Sequence, residues 1–121
     1  MQRVVKRANL LAMKDTISKF CPVVRALEVV GDKWTLIILR DLLLHKTRRF
    51  QDLQESLEGI APNTLSARLK SLELNGVIER KLYSEHPPRL EYVLTAKGRH
   101  LGPIVMALRA WGNKYPTDQA A

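Results

Sequence analysis

The apolar positions of the chain follow helical spacing up to about residue 75 and alternate at strand spacing after it. Residues 3–19 carry an apolar stripe with basic residues between its members, which predicts an amphipathic helix. The stretch "CPVVRALEVVGDKW" predicts a second helix that begins at Pro22 and stops at Gly31. The stretch "KWTLIILRDLLLH" is apolar on nearly every side, so it predicts a helix in the middle of the fold.

Two further helices are predicted between residues 46 and 76. The stretch "KTRRFQDLQESLEGI" predicts a short helix with Phe50, Leu53 and Leu57 on one face and its end at Gly59. In "APNTLSARLKSLELNG" the leucines recur at helical spacing and must face a core, and Gly76 ends the helix. The other faces of that helix carry small, polar and basic residues: Asn63, Thr64, Ser66, Ala67, Arg68, Lys70 and Ser71.

The pattern then changes to a β-hairpin and a last helix. Alternation predicts one strand face with Ile78, Arg80 and Leu82, another with Leu90, Tyr92 and Leu94, and a polar loop "SEHPPR" between the strands. Thr95 is expected to cap a final helix, which Pro103 should kink or restart. The apolar stripe of that helix comprises Leu101, Ile104, Val105, Leu108 and Trp111. The fold class is therefore mainly α with a small antiparallel β-hairpin.

Charge points to a polyanionic partner. The 121 residues carry a formal net charge of +8, with +4 on residues 1–19, zero on residues 20–60 and +3 on residues 61–99. Such an excess favours nucleic acid or an acidic membrane surface. The excess therefore lies in the N-terminal arm and in the region of residues 61–81.

Enzymatic, metal and membrane functions find no support in the sequence. The single cysteine, Cys21, excludes an internal disulfide, and three scattered histidines give no metal-ligand spacing. There is no glycine-rich phosphate loop and no histidine–acid partner for Cys21, so we expect no catalytic residues, no metal and no cofactor. The apolar runs near the N-terminus are too short and too often interrupted by charge for a signal peptide or a membrane span, which predicts a cytoplasmic, nucleoid-associated protein with no membrane partner.

The two helices at 50–57 and 62–75, separated by a short turn containing glycine, have the spacing of a helix-turn-helix. The second helix of this motif enters the major groove of DNA, where Asn, Thr and Ser can bond base edges and Arg and Lys can bond guanine or phosphates. A solvated helix surface is the alternative for the polar face. For Arg80 and Lys81 the alternatives are a DNA contact and an ordinary exposed strand.

The residues also resemble a known family. The segments "CPVVRALEVVGDKWTLIILRDLL", "RRFQDL", "GIAPNTLSARLKSLELNGVIER", "PPRLEYVLTAKGRHLGPIV" and "LRAWG" resemble the HxlR-type regulators, a winged helix-turn-helix family related to the MarR regulators. The resemblance covers residues 20–112. It implies a homodimer built from terminal helices, bound to palindromic promoter DNA, with residues 62–75 as recognition helix and 77–95 as wing.

This resemblance also implies a division of the chain and a set of DNA contacts. Within one domain, 1–20 would be an arm or dimer helix, 21–95 the winged helix-turn-helix core, 96–115 a dimer helix and 116–121 a flexible tail. The wing tip from Pro87 to Arg89 would lie in the minor groove. The predicted DNA-binding residues are Arg49, Asn63, Thr64, Ser66, Ala67, Arg68, Lys70, Ser71, Arg80, Lys81, Pro87 and Arg89.

The sequence departs from the family pattern at two positions. Ala61 stands where the family usually has Ser, so the N-cap is lost at a cost of about 1 kcal/mol, or capping moves to Asn63. Leu74 stands where the family is commonly polar, which suggests a contact with the wing, the partner subunit or an effector.

Cys21 lies where several family members carry a cysteine that senses oxidants or electrophiles. A thiol at a helix N-terminus, with Lys19 and Arg25 nearby, is favoured as thiolate. The alternative is a small buried apolar residue without a redox role. A sensing disulfide would need the partner subunit or a low-molecular-weight thiol. A winged-helix protein-interaction module and a small-molecule-responsive regulator without redox sensing are the rival functions.

Overall fold

The computed structural model describes residues 20–117. The predicted helix at 3–19, Lys19 and the last four residues of the tail lie outside the described residues. The chain divides into two compact units, residues 1–32 and residues 33–121. The expectation that the chain forms one domain stays a prediction.

The described part of the first unit is one helix, α1, Pro22–Val30. It begins with the predicted proline and its C-cap is Gly31, whose N–H donates to the carbonyl of Leu27. Cys21 and Val30 are buried, whereas Leu27 is 55% exposed. The sequence therefore predicted this helix and both of its ends correctly.

The second unit holds five helices and three strands among the described residues. This architecture confirms the predicted fold class, and the unit is a winged helix. The elements in chain order are α2 (Lys33–Leu44), β1 (Thr47–Arg48), α3 (Phe50–Ser56), α4 (Pro62–Leu74), β2 (Ile78–Glu85), β3 (Pro88–Leu94), α5 (Ala96–Arg99) and α6 (Gly102–Lys114).

Helix α2 forms the centre of the second unit, as its apolar sequence predicts. It packs against α3, α4, α6 and β3. Burying a leucine or isoleucine side chain contributes about 1.5–3 kcal/mol, so the apolar side chains around α2 dominate the stability of the unit. The most fully buried of them are Ile38, Leu39, Leu42, Leu53, Leu57, Leu65, Leu69, Leu72, Val77 and Ile78.

The three strands form one antiparallel sheet in the order β1-β3-β2. The predicted alternation is confirmed by the register, which pairs Ile78 with Leu94, Arg80 with Tyr92 and Leu82 with Leu90. A register shift between Leu82 and Ser84 makes Tyr83 the extra residue of a β-bulge. The strands extend to Glu85 and Pro88, so the connecting turn is shorter than the predicted loop "SEHPPR".

The prediction for residues 46–60 missed one element. Thr47 and Arg48 form strand β1, whereas the helix begins at Phe50, as its predicted range 50–57 has it. The reason lies in Arg49, which is extended (φ −86°, ψ 163°) and whose backbone N–H donates to the Asp52 carboxylate at 2.9 Å, so it caps the helix instead of continuing it. Phe50, the first residue of this helix, is 36% exposed, whereas Leu53 is fully buried.

The C-terminal region forms two helices. The Thr95 side chain caps α5, because its hydroxyl accepts the Gly98 N–H at 3.1 Å. Pro103 lies in the first turn of α6, so it restarts the helix as predicted. Of the predicted stripe only Val105 is buried in the described chain, and Trp111 is 66% exposed, so the stripe does not pack into the core of this unit.

Candidate nucleic-acid interface

Helix α4 presents one apolar and one polar face. Leu65, Leu69 and Leu72 are buried at 0%, 2% and 1% exposure, because they recur at helical spacing and pack towards α2 and β2. Thr64 and Arg68 are half-buried at the edge of that face. Five of the predicted DNA-binding residues on α4 are exposed: Asn63, Ser66, Ala67, Lys70 and Ser71.

The first turn of α4 has no side-chain cap. Ala61 occupies the N-cap position, and Pro62 is the first helical residue. The alternative that capping moves to Asn63 was therefore wrong, since the helix already includes that residue. Uncapped N–H groups and the positive end of the helix dipole make this end suited to a phosphate oxygen.

The turn between α3 and α4 is fixed by a glycine and a glutamine. Gly59 has φ +88°, a conformation that side chains other than glycine rarely adopt. The Gln54 amide donates to the carbonyl of Ile60 at 2.7 Å, and the N–H of Ile60 donates to the carbonyl of Leu57 at 3.1 Å. These bonds set the relative position of the two helices of the helix-turn-helix.

The C-terminal end of α4 is held by the segment after the hairpin. The Lys97 ammonium donates to the carbonyl of Asn75 at 2.7 Å, and the Thr95 hydroxyl lies 2.6 Å from the carbonyl of Gly76. This approach requires a glycine at position 98, because a Cβ there would lie 2.1 Å from the carbonyl oxygen of Val77. The orientation of α4 is thus tied to α5.

An ion pair connects α4 to the wing. The Arg80 guanidinium donates to the Glu73 carboxylate at 3.0 Å, with the two side chains 49% and 34% exposed. Beside this pair a small cleft of ≈ 230 Å³ is lined also by Ser66, Lys70 and Tyr92. Burial raises the pKa of the Tyr92 hydroxyl above its ordinary value. The structure therefore brings Arg80 of the wing to Ser66 and Lys70 of α4.

Two other predicted residues, Arg49 and Arg89, meet at a tyrosine. Tyr83 interacts electrostatically with both arginines, and its interaction with Arg49 is the main reason why the pKa of Tyr83 lies below its ordinary value. Arg49 also pairs with Asp52, with its Nε 3.3 Å from the carboxylate. The backbone N–H of Arg49, followed by its side chain, lowers the pKa of Asp52. The start of α3 and the outer half of the wing are thus joined through charged groups.

Lys81 lies away from these two groups. Strand alternation places it with Glu79 on the sheet face opposite Arg80, and its ammonium lies 3.8 Å from the Glu79 carboxylate. Pro87, in the turn at the wing tip, is exposed. Leu74 is 78% exposed, so the wing does not bury it and its suggested role in a contact stays a prediction.

Three residues at the candidate interface were not predicted from the sequence. Glu73 pairs with Arg80, Tyr83 joins two arginines, and Lys97 holds the end of α4. Glu73 and Arg80 lie on different elements, a helix and a strand, so their spacing in the sequence did not indicate an ion pair. The position of Tyr83 could not be predicted, because an alternating pattern of apolar residues does not show where a β-bulge occurs.

The described residues give no sign of a metal or membrane site. No group of three His, Cys, Asp or Glu side chains within residues 20–117 could hold a metal ion. No helix in that same range is long and apolar enough to cross a membrane.

Known proteins with similar sequences are regulators of transcription. An HTH-type transcriptional regulator of Synechocystis sp. is 38% identical over 95 residues, which cover 78% of this chain and 70% of the relative. The HTH-type transcriptional regulator YdeP of Bacillus subtilis is 39% identical over 95 residues, which cover 78% of this chain and 73% of YdeP.

Solved structures with the same fold include two regulators. The redox regulator HypR in its oxidized form has a TM-score of 0.75 and 34% identity, with 80% of this chain and 99% of HypR covered. The reduced form of the transcriptional regulator YodB from B. subtilis has a TM-score of 0.68 and 31% identity, with 80% of this chain and 95% of YodB covered.

The HxlR-like helix-turn-helix family matches residues 29–120, which span α2 to α6 and include every predicted DNA contact. The chain therefore belongs to the HxlR-like helix-turn-helix family and is a transcriptional regulator of the MarR-like winged-helix type.

Proposed function

We propose that the protein is a sequence-specific DNA-binding regulator that acts as a homodimer on palindromic promoter DNA. The observation that carries the proposal is the exposed polar face of α4, beside which the wing places Arg80, in a chain of net charge +8. A helix of 13 residues with its apolar side buried is free to enter a major groove with the other side.

Each group of residues has a distinct role in this proposal. Asn63 and Arg68 read base edges, since amide and guanidinium groups form paired bonds with adenine and guanine. The arginines that meet at Tyr83 bind phosphates, because a guanidinium matches a phosphate oxygen pair. The wing tip at Pro87 enters the minor groove. Lys70 and Ser71 contact the DNA backbone at the edge of the major groove that α4 enters.

The dimer is proposed on the apolar surface of α6. Ile104, Leu108 and Trp111 recur at helical spacing on one face of α6 and are between 45% and 66% exposed in the described chain, although each is large and apolar. A second copy of the chain covers such a surface, and two-fold symmetry then presents two α4 helices to half-sites about 34 Å apart. The helix predicted at 3–19 would add to this interface.

The relatives' role is non-enzymatic, and we propose the same for this chain, without a cofactor and in the cytoplasm with the nucleoid. The rival function is a winged-helix module that docks proteins. In that case the polar face of α4 would meet a protein surface, and DNA affinity would be weak and indifferent to sequence.

Fluorescence anisotropy tests the proposal. The purified protein is titrated against the DNA upstream of its own gene and against a shuffled duplex, at two salt concentrations. We expect the upstream DNA to bind about 10³-fold more tightly, with a clear loss of affinity as salt rises. Equal, weak binding to both duplexes at several candidate promoters would favour the docking module, and an absence of binding at low salt would show that α4 faces something other than DNA.

A redox response through Cys21 is a second candidate, favoured by the similarity to HypR, which is described as a redox regulator. Cys21 is a free cysteine at the N-terminus of α1, but it is only 5% exposed, which restricts access of an oxidant. Diamide treatment of the wild-type protein and of Cys21→Ser, followed by the same titration, decides the matter. A response requires that only the wild-type protein changes its affinity, and an equal change in Cys21→Ser would exclude Cys21 as the sensor.

A further inference from the structure

A second, larger cleft lies on the face of the sheet that points away from α4. Its volume is ≈ 740 Å³. Val93 contributes from the sheet, and Leu43 from the last turn of α2. Thr47 of β1 and Ala96 of α5 lie at its sides. All of these residues belong to the second unit of the chain.

The cleft has an apolar floor and a basic rim. Val93 and Leu43 are both half-buried, so the floor is formed by partly covered apolar side chains. Lys46, Lys81 and Arg99 lie around it, against one acid, Glu79. The lining residues therefore carry a formal net charge of +2.

These cations retain bonding capacity. No ion pair involves Lys46 within the part of the chain that the structure describes. Arg99 donates one N–H to the carbonyl of Leu94 at 3.1 Å, and a guanidinium has five N–H groups. Lys81 has only the long 3.8 Å contact with Glu79, and both side chains are more than half exposed. An anion entering the cleft would meet three cations that are not already neutralised by short salt bridges.

We propose that this cleft binds a small organic anion with an apolar body. The volume lies in the range of small-molecule sites, about 300–1,000 Å³, which combine an apolar surface with a few orienting polar groups. The apolar body contacts Leu43 and Val93, and the anionic head lies between Lys46 and Arg99. A neutral molecule of the same shape contacts only the apolar floor and therefore binds more weakly. A cation is repelled by the basic rim.

The cleft also shares a wall with the segment that holds the recognition helix. Thr95 lines the cleft, and its hydroxyl lies 2.6 Å from the carbonyl of Gly76 at the end of α4. A ligand that displaces this wall therefore shifts α4. This coupling rests on the proposed DNA-binding function, whereas the ligand site does not, so binding is measured first without DNA.

The test uses a matched pair of probes, naphthalene-2-sulfonate and the neutral naphthalene-2-sulfonamide, with the full chain labelled with ¹⁵N. We expect naphthalene-2-sulfonate to shift the backbone amide signals of Lys46, Thr47, Val93 and Ala96. It should bind about tenfold more tightly than the sulfonamide, because the cations of the rim attract the sulfonate charge. Equal affinities, no saturable binding at millimolar concentration, or shifts confined to α6 would each overturn the proposal.

Two variants place the anion in the cleft. Thr47→Glu adds a carboxylate to the exposed strand β1 at the rim, and it should weaken naphthalene-2-sulfonate about fivefold or more while leaving the sulfonamide within about twofold. Thr117→Glu makes the same chemical change at an exposed position outside the cleft and should alter neither affinity. An equal loss in both variants would mean that the probe responds to overall charge, and the cleft would then not be its site.

The coupling to DNA binding is tested in a separate experiment. Naphthalene-2-sulfonate is added to the anisotropy titration with the upstream duplex. A change in DNA affinity that Thr47→Glu abolishes supports the coupling. Ligand binding without any change in DNA affinity overturns the coupling and leaves the site established. A protein that binds the probe but no DNA contradicts the proposed function alone.

Discussion

Asp41 of α2 and Arg48 of β1 form a salt bridge in which the carboxylate is buried: the Nε of Arg48 lies 2.8 Å from Oδ2, and the side chains are 2% and 21% exposed. The other carboxylate oxygen accepts the hydroxyl of Ser56 at 2.7 Å. One aspartate thereby joins the central helix, the edge strand of the wing and the end of α3. These bonds hold the helix-turn-helix in a fixed position relative to the sheet.

Replacing Asp41 should destabilise the fold strongly. Asp41→Ala leaves Arg48 and Ser56 without their acceptor, and breaking a buried pair by removing one partner costs about 3–5 kcal/mol, reduced here to about 2–4 because Arg48 can turn towards solvent. Urea denaturation followed by circular dichroism measures the change in the free energy of unfolding. Glu79→Ala, which removes the acid of an exposed pair, is the control and should change it by no more than about 0.5 kcal/mol. Similar values for the two variants would show that burial of Asp41 is not decisive.

Gly98 and Gly112 offer a matched pair of glycine replacements. Gly98→Ala places a methyl group 2.1 Å from the carbonyl oxygen of Val77, so α5 must move away from the end of α4. We expect a loss of about 2 kcal/mol or more in the free energy of unfolding. Gly112→Ala meets no atom within 4 Å in the described chain and should be neutral or stabilising by up to about 1 kcal/mol, because alanine favours the helix.

The same pair separates stability from function. Because α5 holds the carbonyls at the end of α4, Gly98→Ala should also weaken specific DNA binding at a temperature where the variant is still folded, as judged by circular dichroism. Intact binding by folded Gly98→Ala would mean that the contact with α5 does not orient the recognition helix.

The parts of the fold that follow a period could be predicted from sequence. The leucine stripe of α4 and the alternation of Ile78, Arg80 and Leu82 each repeat a local rule over several residues, and the structure reproduces both. The start of a new helix at Pro103 could also be predicted, since it follows from the missing N–H of proline.

The parts that depend on distant contacts could not be predicted. Strand β1 has two residues, too few to show any period, and it exists because Thr47 pairs with Val93 far along the chain. The sequence of α2 contains two adjacent charged residues, Arg40 and Asp41, and no local pattern distinguishes them. Arg40 is exposed, whereas Asp41 is buried because Arg48 and Ser56 bond its carboxylate. The same distinction holds at the candidate site. Helix α4 could be predicted from its leucine spacing, whereas the roles of Glu73 and Tyr83 arise only from tertiary contacts.

The tyrosines should ionise in a defined order. Arg49 and Arg89 stabilise the Tyr83 phenolate, so its pKa is lowered, whereas burial disfavours the Tyr92 phenolate, so its pKa is raised. In an ultraviolet titration of tyrosine ionisation, Tyr83→Phe should remove the component with the lower pKa and Tyr92→Phe the component with the higher pKa. Arg49→Ala should move the Tyr83 component to higher pH. The reverse order would show that the arginines do not contact the hydroxyl in solution.

Arg68 is the side chain on α4 whose replacement best distinguishes base reading from phosphate binding. If its guanidinium bonds a guanine edge, Arg68→Ala should weaken binding to the upstream DNA by about 1–3 kcal/mol and relax the preference at one base pair, with little effect on the shuffled duplex. If it bonds a phosphate, both duplexes should lose affinity alike and the salt dependence should fall by about one unit. Arg40→Ala is the charge-matched control, because Arg40 is exposed on α2 and outside the predicted site. Anisotropy titrations of both variants on both duplexes measure these effects, and Arg68→Ala behaving like Arg40→Ala would remove Arg68 from the interface.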